Sequence, residues 1–159
     1  MKDELNPKIK NQKPEIESYI CNSPEETFAL GEKLGARLEG GEMILLAGGL
    51  GAGKTLFTKG ILNALEFDVD EVTSPSFTLV NLYKTEKFDV YHIDLWRIDE
   101  NSDAAFAVGL DELLEDKTAV VVVEWSERLK NFPFPEKPFR VKIEGDGDQP
   151  RRISINAET

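Results

Sequence analysis

The sequence predicts an α/β fold, a single domain with a central mixed β-sheet flanked by helices. Three observations carry that expectation. Met43-Ile44-Leu45-Leu46-Ala47 and Ala119-Val120-Val121-Val122-Val123 are apolar without alternation, the pattern of strands covered on both faces. The first of these runs leads through a glycine-rich loop into a helical pattern. The length, 159 residues, is enough for one core and leaves little room for a separate substrate domain.

The elements follow in order. Residues 1–14 carry Lys, Asn, Gln and Pro without periodicity and read as a flexible lead-in to a domain spanning 15–159. Ile16 to Cys21 is a first strand. Ser23-Pro24-Glu25-Glu26 is a helix start, with Ser23 as N-cap, Pro24 at the first helical position and Glu26 closing a capping box. Leu30, Leu34 and Leu38 share one face of that helix, which the pattern ends at Gly40-Gly41. Lys54 to Leu65 is a second helix. Thr78 to Tyr83 and Phe88 to Asp94 are strands joined by Lys84-Thr85-Glu86-Lys87, and Ala104 to Leu114 is a third helix. Phe139 to Glu144 and Arg152 to Asn156 are strands around the turn Gly145-Asp146-Gly147-Asp148.

Composition narrows the function. With 19 basic and 30 acidic residues the net charge is -11, a field that repels phosphate backbones and disfavours strong direct nucleic-acid binding. A polyphosphate site must therefore build positive potential locally, from backbone N–H groups, a helix N-terminus, a lysine and a divalent cation. Cys21 is the only cysteine, so neither an internal disulfide nor a thiolate cluster forms, which suits a reducing cytosol. The N-terminus has no apolar core of a signal peptide, and no stretch approaches the ~20 apolar residues of a membrane span. A cytoplasmic protein with no membrane partner is expected.

Gly48-Gly49-Leu50-Gly51-Ala52-Gly53-Lys54-Thr55 fits G-x-x-x-x-G-K-[ST] between an apolar strand and a helix, which makes the expected domain a P-loop NTPase domain. Glycines let the backbone wrap phosphates, Lys54 supplies a point charge and Thr55 a hydroxyl for Mg2+. Glu124 closes the valine run and is the candidate second magnesium ligand; the plainer reading is a polar residue ending an apolar strand. Asp94, also at a strand end, is placed to orient water at the γ-phosphate, or else is a capping carboxylate. Lys54, Asp94 and Glu124 form the candidate catalytic set. Ser74-Pro75-Ser76-Phe77-Thr78 offers hydroxyls where a nucleotide-sensing loop would lie, or is simply a turn. Arg97 and Arg128 are alternately charge stabilisers or partners of surface carboxylates. His92, which shares strand parity with Asp94, reads as a packed or hydrogen-bonded strand histidine, and Asp111 to Asp116 as the solvated side of a helix or else a partner-docking face.

Four pieces in order, Gly-Gly-Leu-Gly-Ala-Gly-Lys-Thr, Ser-Pro-Ser-Phe-Thr-Leu-Val, Tyr-His-Ile-Asp-Leu-Trp-Arg and Val-Glu-Trp, resemble the bacterial TsaE (YjeE) family over about residues 23–143. The resemblance implies a small ATPase, using ATP and Mg2+, that works with TsaB and TsaD. Together they make threonylcarbamoyladenosine, the modified base next to the anticodon in tRNAs reading codons that begin with A. The tRNA would be met only through that complex. Carried over by residue, the phosphate loop falls on Gly51, Ala52, Gly53, Lys54, Thr55 and Leu56, and the magnesium ligands on Thr55 and Glu124. The family's functional aspartate falls on Asp94 and its tryptophan on Trp125, while Thr27 matches a position in its nucleotide pocket. Three positions depart from the family's pattern: Gly49 replaces an acidic residue, Leu56 a second threonine, and Ser76 a threonine whose hydroxyl it keeps. The alternative is a nucleotide-gated interaction module in which ATP binding, not hydrolysis, regulates a partner complex. A small-molecule kinase would need a lid and an acceptor pocket, and this length shows neither; a GTPase would carry an Asn-Lys-x-Asp motif that is absent.

Overall fold

The structure, a computed structural model, describes residues 16–157; the lead-in expected at 1–14 lies outside them. Its strands are β1 (Ile16–Cys21), β2 (Met43–Gly48), β3 (Val80–Lys84), β4 (Asp89–Asp94), β5 (Val120–Glu124), β6 (Phe139–Glu144) and β7 (Arg151–Ala157). Its α-helices are α1 (Pro24–Gly35), α2 (Lys54–Ala64), α3 (Ala104–Ala107) and α4 (Leu110–Leu113). All the strands lie in one sheet in the order β1-β7-β6-β2-β5-β4-β3. The four inner strands β6, β2, β5 and β4 run parallel, while β3 pairs antiparallel with β4, β7 with β6, and β1 with β7. The expected mixed sheet is therefore present.

The missing alternation in β2 and β5 has a direct cause. Ile44, Leu46, Val120 and Val122 face a core shared with Leu30 and Leu34 of α1 and Phe57 and Ile61 of α2. Met43, Leu45, Val121 and Val123 face a second core with Leu95, Ala104, Leu110 and Leu129. Both faces exclude water, so every position of the strand favours an apolar residue.

Helix α1 is capped nearly as its sequence suggests. Ser23 Oγ accepts the Glu26 N–H at 3.2 Å, while the Glu26 carboxylate reaches past the cap to accept the Asn22 N–H at 2.6 Å. The helix ends at Gly35, not at Gly40-Gly41. Beyond it Arg37 and Leu38 donate to Leu34 and Gly35, so the chain tightens into i→i+3 turns that still bury Leu38. The expected helix over 104–114 is likewise two short pieces, because Gly109 adopts a left-handed φ of 66° between them. Thr78 and Leu79 precede β3 instead of opening it: Leu79, at φ 66°, donates to Pro75 O at 2.8 Å and closes a turn.

Two glycines bring α1 and α2 into backbone contact. A Cβ on Gly31 would sit 2.3 Å from Phe57 O, and one on Gly60 2.1 Å from Phe28 O. This close approach fixes α2, and with it the glycine loop at its start. Among the described residues no helix is long and apolar enough to cross a membrane.

Candidate nucleotide-binding site

The loop between β2 and α2 takes its shape from two left-handed glycines, Gly51 at φ 76° and Gly53 at φ 113°. Gly53 is also the N-cap of α2 and offers no side chain, so the helix's first N–H groups stay directed at the loop's concave side. Lys54 is buried, and its Nζ donates to Gly48 O and Gly49 O at 2.7 Å each while lying 4.3 Å from the Trp125 ring centroid. Burial pushes the Lys54 ammonium below its ordinary pKa; the carboxylates of Glu124, Glu127 and Asp94 oppose that shift without cancelling it. Such a desolvated cation gains strongly from an arriving anion.

The register of the parallel strands assembles the rest. Leu46 pairs with Glu124, and Glu124 with Asp94, so both carboxylates stand at the carboxyl ends of central strands beside the loop. Thr55 Oγ1 lies 3.0 and 3.1 Å from the two oxygens of Glu124, which is buried and also touches His92 Nε2 at 2.5 Å. Asp94 is buried too. Its Oδ1 accepts the Trp96 N–H at 2.9 Å, and its Oδ2 accepts the hydroxyls of Ser74 at 3.3 Å and Ser76 at 3.5 Å. Trp125 holds a left-handed backbone, φ 58°, rare for a bulky residue and typical of functional turns. Its indole packs on Trp96 with centroids 4.5 Å apart.

Cavities flank the loop on its two sides. One of about 240 Å³ is lined by Lys54, Thr55, Ser76, Asp94, Glu124 and Trp125. The other, about 360 Å³, is lined by Thr27, Gly51, Ala52, Gly53, Leu56 and Arg151, among others. The candidate catalytic residues, the phosphate-loop residues, Thr27, Ser76 and Trp125 thus each border one side of the loop or both. Thr27 is buried in α1, with its methyl 3.6 Å from where a Gly53 Cβ would stand. A Cβ at Gly49 would meet nothing within 4 Å, so the acidic residue usual in the family finds open space there. Leu56 lines both cavities.

One residue escaped sequence reasoning altogether. Arg151 donates from Nε to Ala52 O at 3.0 Å and from Nη2 to Gly51 O at 3.3 Å and Gly147 O at 3.0 Å. It holds the carbonyls of Gly51 and Ala52 in the loop, and no spacing rule links residues so far apart. His92 has the buried, hydrogen-bonded strand position expected of it, and the identity of its partner, Glu124, follows from the strand order. Arg97 instead lies over the Phe77 ring at 4.2 Å, and Arg128 donates to Ile98 O at 2.8 Å. In the acidic run, Asp111, Glu112, Glu115 and Asp116 are exposed while Leu113 and Leu114 pack on the core, as a solvated face requires.

Among the described residues no cluster of three or more His, Cys, Asp or Glu side chains encloses a metal. One hydroxyl and one carboxylate converge at Thr55 and Glu124, a donor set that suits Mg2+, which keeps several waters and shares phosphate oxygens.

A glycine loop opening a helix, with carboxylates at the ends of adjacent parallel strands, defines a protein of the P-loop class. Residues 21–153 match the family model described as Threonylcarbamoyl adenosine biosynthesis protein TsaE, and the chain belongs to the TsaE family. It is 40% identical over 116 residues to the tRNA threonylcarbamoyladenosine biosynthesis protein TsaE of Aquifex aeolicus, covering 72% of this chain and 80% of that one. The Bacillus subtilis protein of the same name is 34% identical over 135 residues, covering 85% and 82%. The Rickettsia felis relative is 35% identical, covering 73% of this chain and 66% of its own length. A crystal structure of Bacillus subtilis YdiB superposes with a TM-score of 0.71 at 30% identity, covering 92% of this chain and 88% of that one.

Proposed function

We propose that this chain is the ATP-binding and ATP-hydrolysing subunit that acts with TsaB and TsaD in making threonylcarbamoyladenosine in tRNA. The names of its relatives support the pathway. The observation that carries the chemistry is the convergence of Lys54, Thr55, Asp94 and Glu124 on one side of the glycine loop.

The loop N–H groups and the α2 N-terminus bind the phosphates, and the carbonyls of Gly51 and Ala52 are held by Arg151. Lys54 exchanges the carbonyls of Gly48 and Gly49 for phosphate oxygens. Thr55 and Glu124 are the residues that would hold Mg2+, which would neutralise the developing phosphate charge. Asp94 orients water, its carboxylate aimed by the Trp96 N–H and by the Ser74 and Ser76 hydroxyls. The larger cavity beside Thr27 receives the nucleoside. Because Arg97 and Arg128 are engaged elsewhere, a partner completes the transition-state charge, and hydrolysis by the chain alone is slow.

The test is reconstitution of tRNA modification from purified TsaB, TsaD, tRNA and ATP with a threonylcarbamoyl donor. Sustained modification is expected only when this chain is added; equal modification without it contradicts the proposal.

A second reading, the nucleotide-gated module, is favoured by one contact set: Ser74 and Ser76 bond directly to Asp94, so the 74–78 loop reports on the phosphate site. An Asp94→Ala chain that hydrolyses no ATP yet sustains modification would establish that reading over hydrolysis.

A further inference from the structure

We propose that His92 is a positioning residue for Glu124, and that Tyr83 extends its hold to the loop at Thr73. The inference deepens the nucleotide reading above and rests on it.

His92 is fully buried in β4 and occupies the same strand face as Asp94, two residues before it. Asp94 is the register partner of Glu124, so the imidazole lies under the pair of carboxylates and not among them. Its Nε2 stands 2.5 Å from Glu124 Oε2. A carboxylate held only by Thr55 could rotate about its terminal torsion, which has a broad, roughly two-fold profile. The imidazole contact fixes Oε2 and so decides how the other oxygen faces the phosphate side. Partners of this kind behind a metal-binding carboxylate commonly set metal affinity.

The other ring nitrogen continues the connection. In the tautomer whose Nε2–H faces Glu124, Nδ1 is an acceptor; it lies 3.4 Å from the hydroxyl of buried Tyr83, whose single proton is within reach of both Nδ1 and Thr73 O, 3.0 Å away, while its oxygen accepts the Thr73 N–H at 3.3 Å. Asn81 Nδ2 lies 3.3 Å from that hydroxyl and from Thr73 O. Thr73 adjoins Ser74, whose hydroxyl donates to Asp94. The 73–76 segment therefore reaches the phosphate side by two routes, Ser74 and Ser76 to Asp94, and Thr73 through Tyr83 and His92 to Glu124. A histidine serving only to fill the core needs neither contact.

Two variants of similar size and polarity separate these roles. His92→Gln places an amide N–H near the Nε2 position and keeps a donor toward Glu124; His92→Asn places its amide near Nδ1 and loses that donor. Affinity for a fluorescent ATP analogue is measured with Mg2+ and with EDTA. His92→Asn is expected to lower the Mg2+-dependent gain in affinity by about 10-fold or more, with affinity in EDTA unchanged, while His92→Gln retains most of the gain. Equal behaviour of the two variants overturns the positioning role. A wild-type chain showing no Mg2+-dependent gain overturns the metal reading instead, and one that binds no analogue overturns the nucleotide reading. Tyr83→Phe removes the hydroxyl and keeps the ring, so it should weaken the hydrogen-exchange protection that Mg2+ and ATP confer on residues 73–78. Unchanged protection removes the link to the loop.

Discussion

Glu124 is the residue on which the site turns, since it bonds Thr55 from the loop and His92 from the neighbouring strand while lying buried. Glu124→Ala should abolish Mg2+-dependent ATP hydrolysis and leave measurable nucleotide binding through Lys54 and the loop amides; hydrolysis at the wild-type rate would remove Glu124 from the metal site. Cys21 offers a quieter test. Burial pushes its thiol up from the ordinary value of 9.0, so the reactive thiolate stays scarce through neutral pH. The sign for stability follows: a raised folded pKa keeps its full contribution below 9.0 and loses it as pH climbs through the folded value. Cys21 also lines the cavity beside Thr27. Alkylation at pH 8 should be slow in the native chain, slower still with ATP, and fast in denaturant; rapid native labelling would place Cys21 outside that cavity.

Among the elements, β2, β5 and α2 were legible because each obeys one local rule: an apolar run without alternation, or a glycine loop opening a helix. Glu124 was legible as the carboxylate closing such a run, and Asp94 as a carboxylate at the end of a predicted strand. The end of α1 was not, since Leu38 keeps the helical period and stays buried after the backbone has left the helix. Nor was the break at Gly109, where a single left-handed residue outweighs the surrounding helical pattern. Arg151 and the partnership of His92 with Glu124 depend on which strands become neighbours, and neither spacing nor composition encodes that. Thr27 entered only through resemblance, because its place in the pocket depends on how α1 packs beside the loop. That packing is testable: Gly60→Ala drives a methyl to within 2.1 Å of Phe28 O. It should destabilise the chain by about 1–3 kcal/mol, read as a lower thermal midpoint, and weaken nucleotide binding by shifting α2. An unchanged midpoint would show that the helices separate freely.

At the scale of the whole molecule, a net charge of -11 surrounds a site built to bind a polyanion. Around the loop, positive potential comes from its N–H groups, the α2 N-terminus, Lys54 and Arg151, a local arrangement suited to a nucleotide's phosphates, while the net charge disfavours direct tRNA binding. Under the proposed function, contact with tRNA would pass through TsaB and TsaD, and the same partners would complete a phosphate site beside which Arg97 and Arg128 are otherwise engaged. The most direct measurement is steady-state ATP turnover by the purified chain in Mg2+, alone and with TsaB, TsaD and tRNA. Slow turnover alone and clear stimulation by the partners are predicted. Rapid turnover alone, or no stimulation together with no association, would contradict the account.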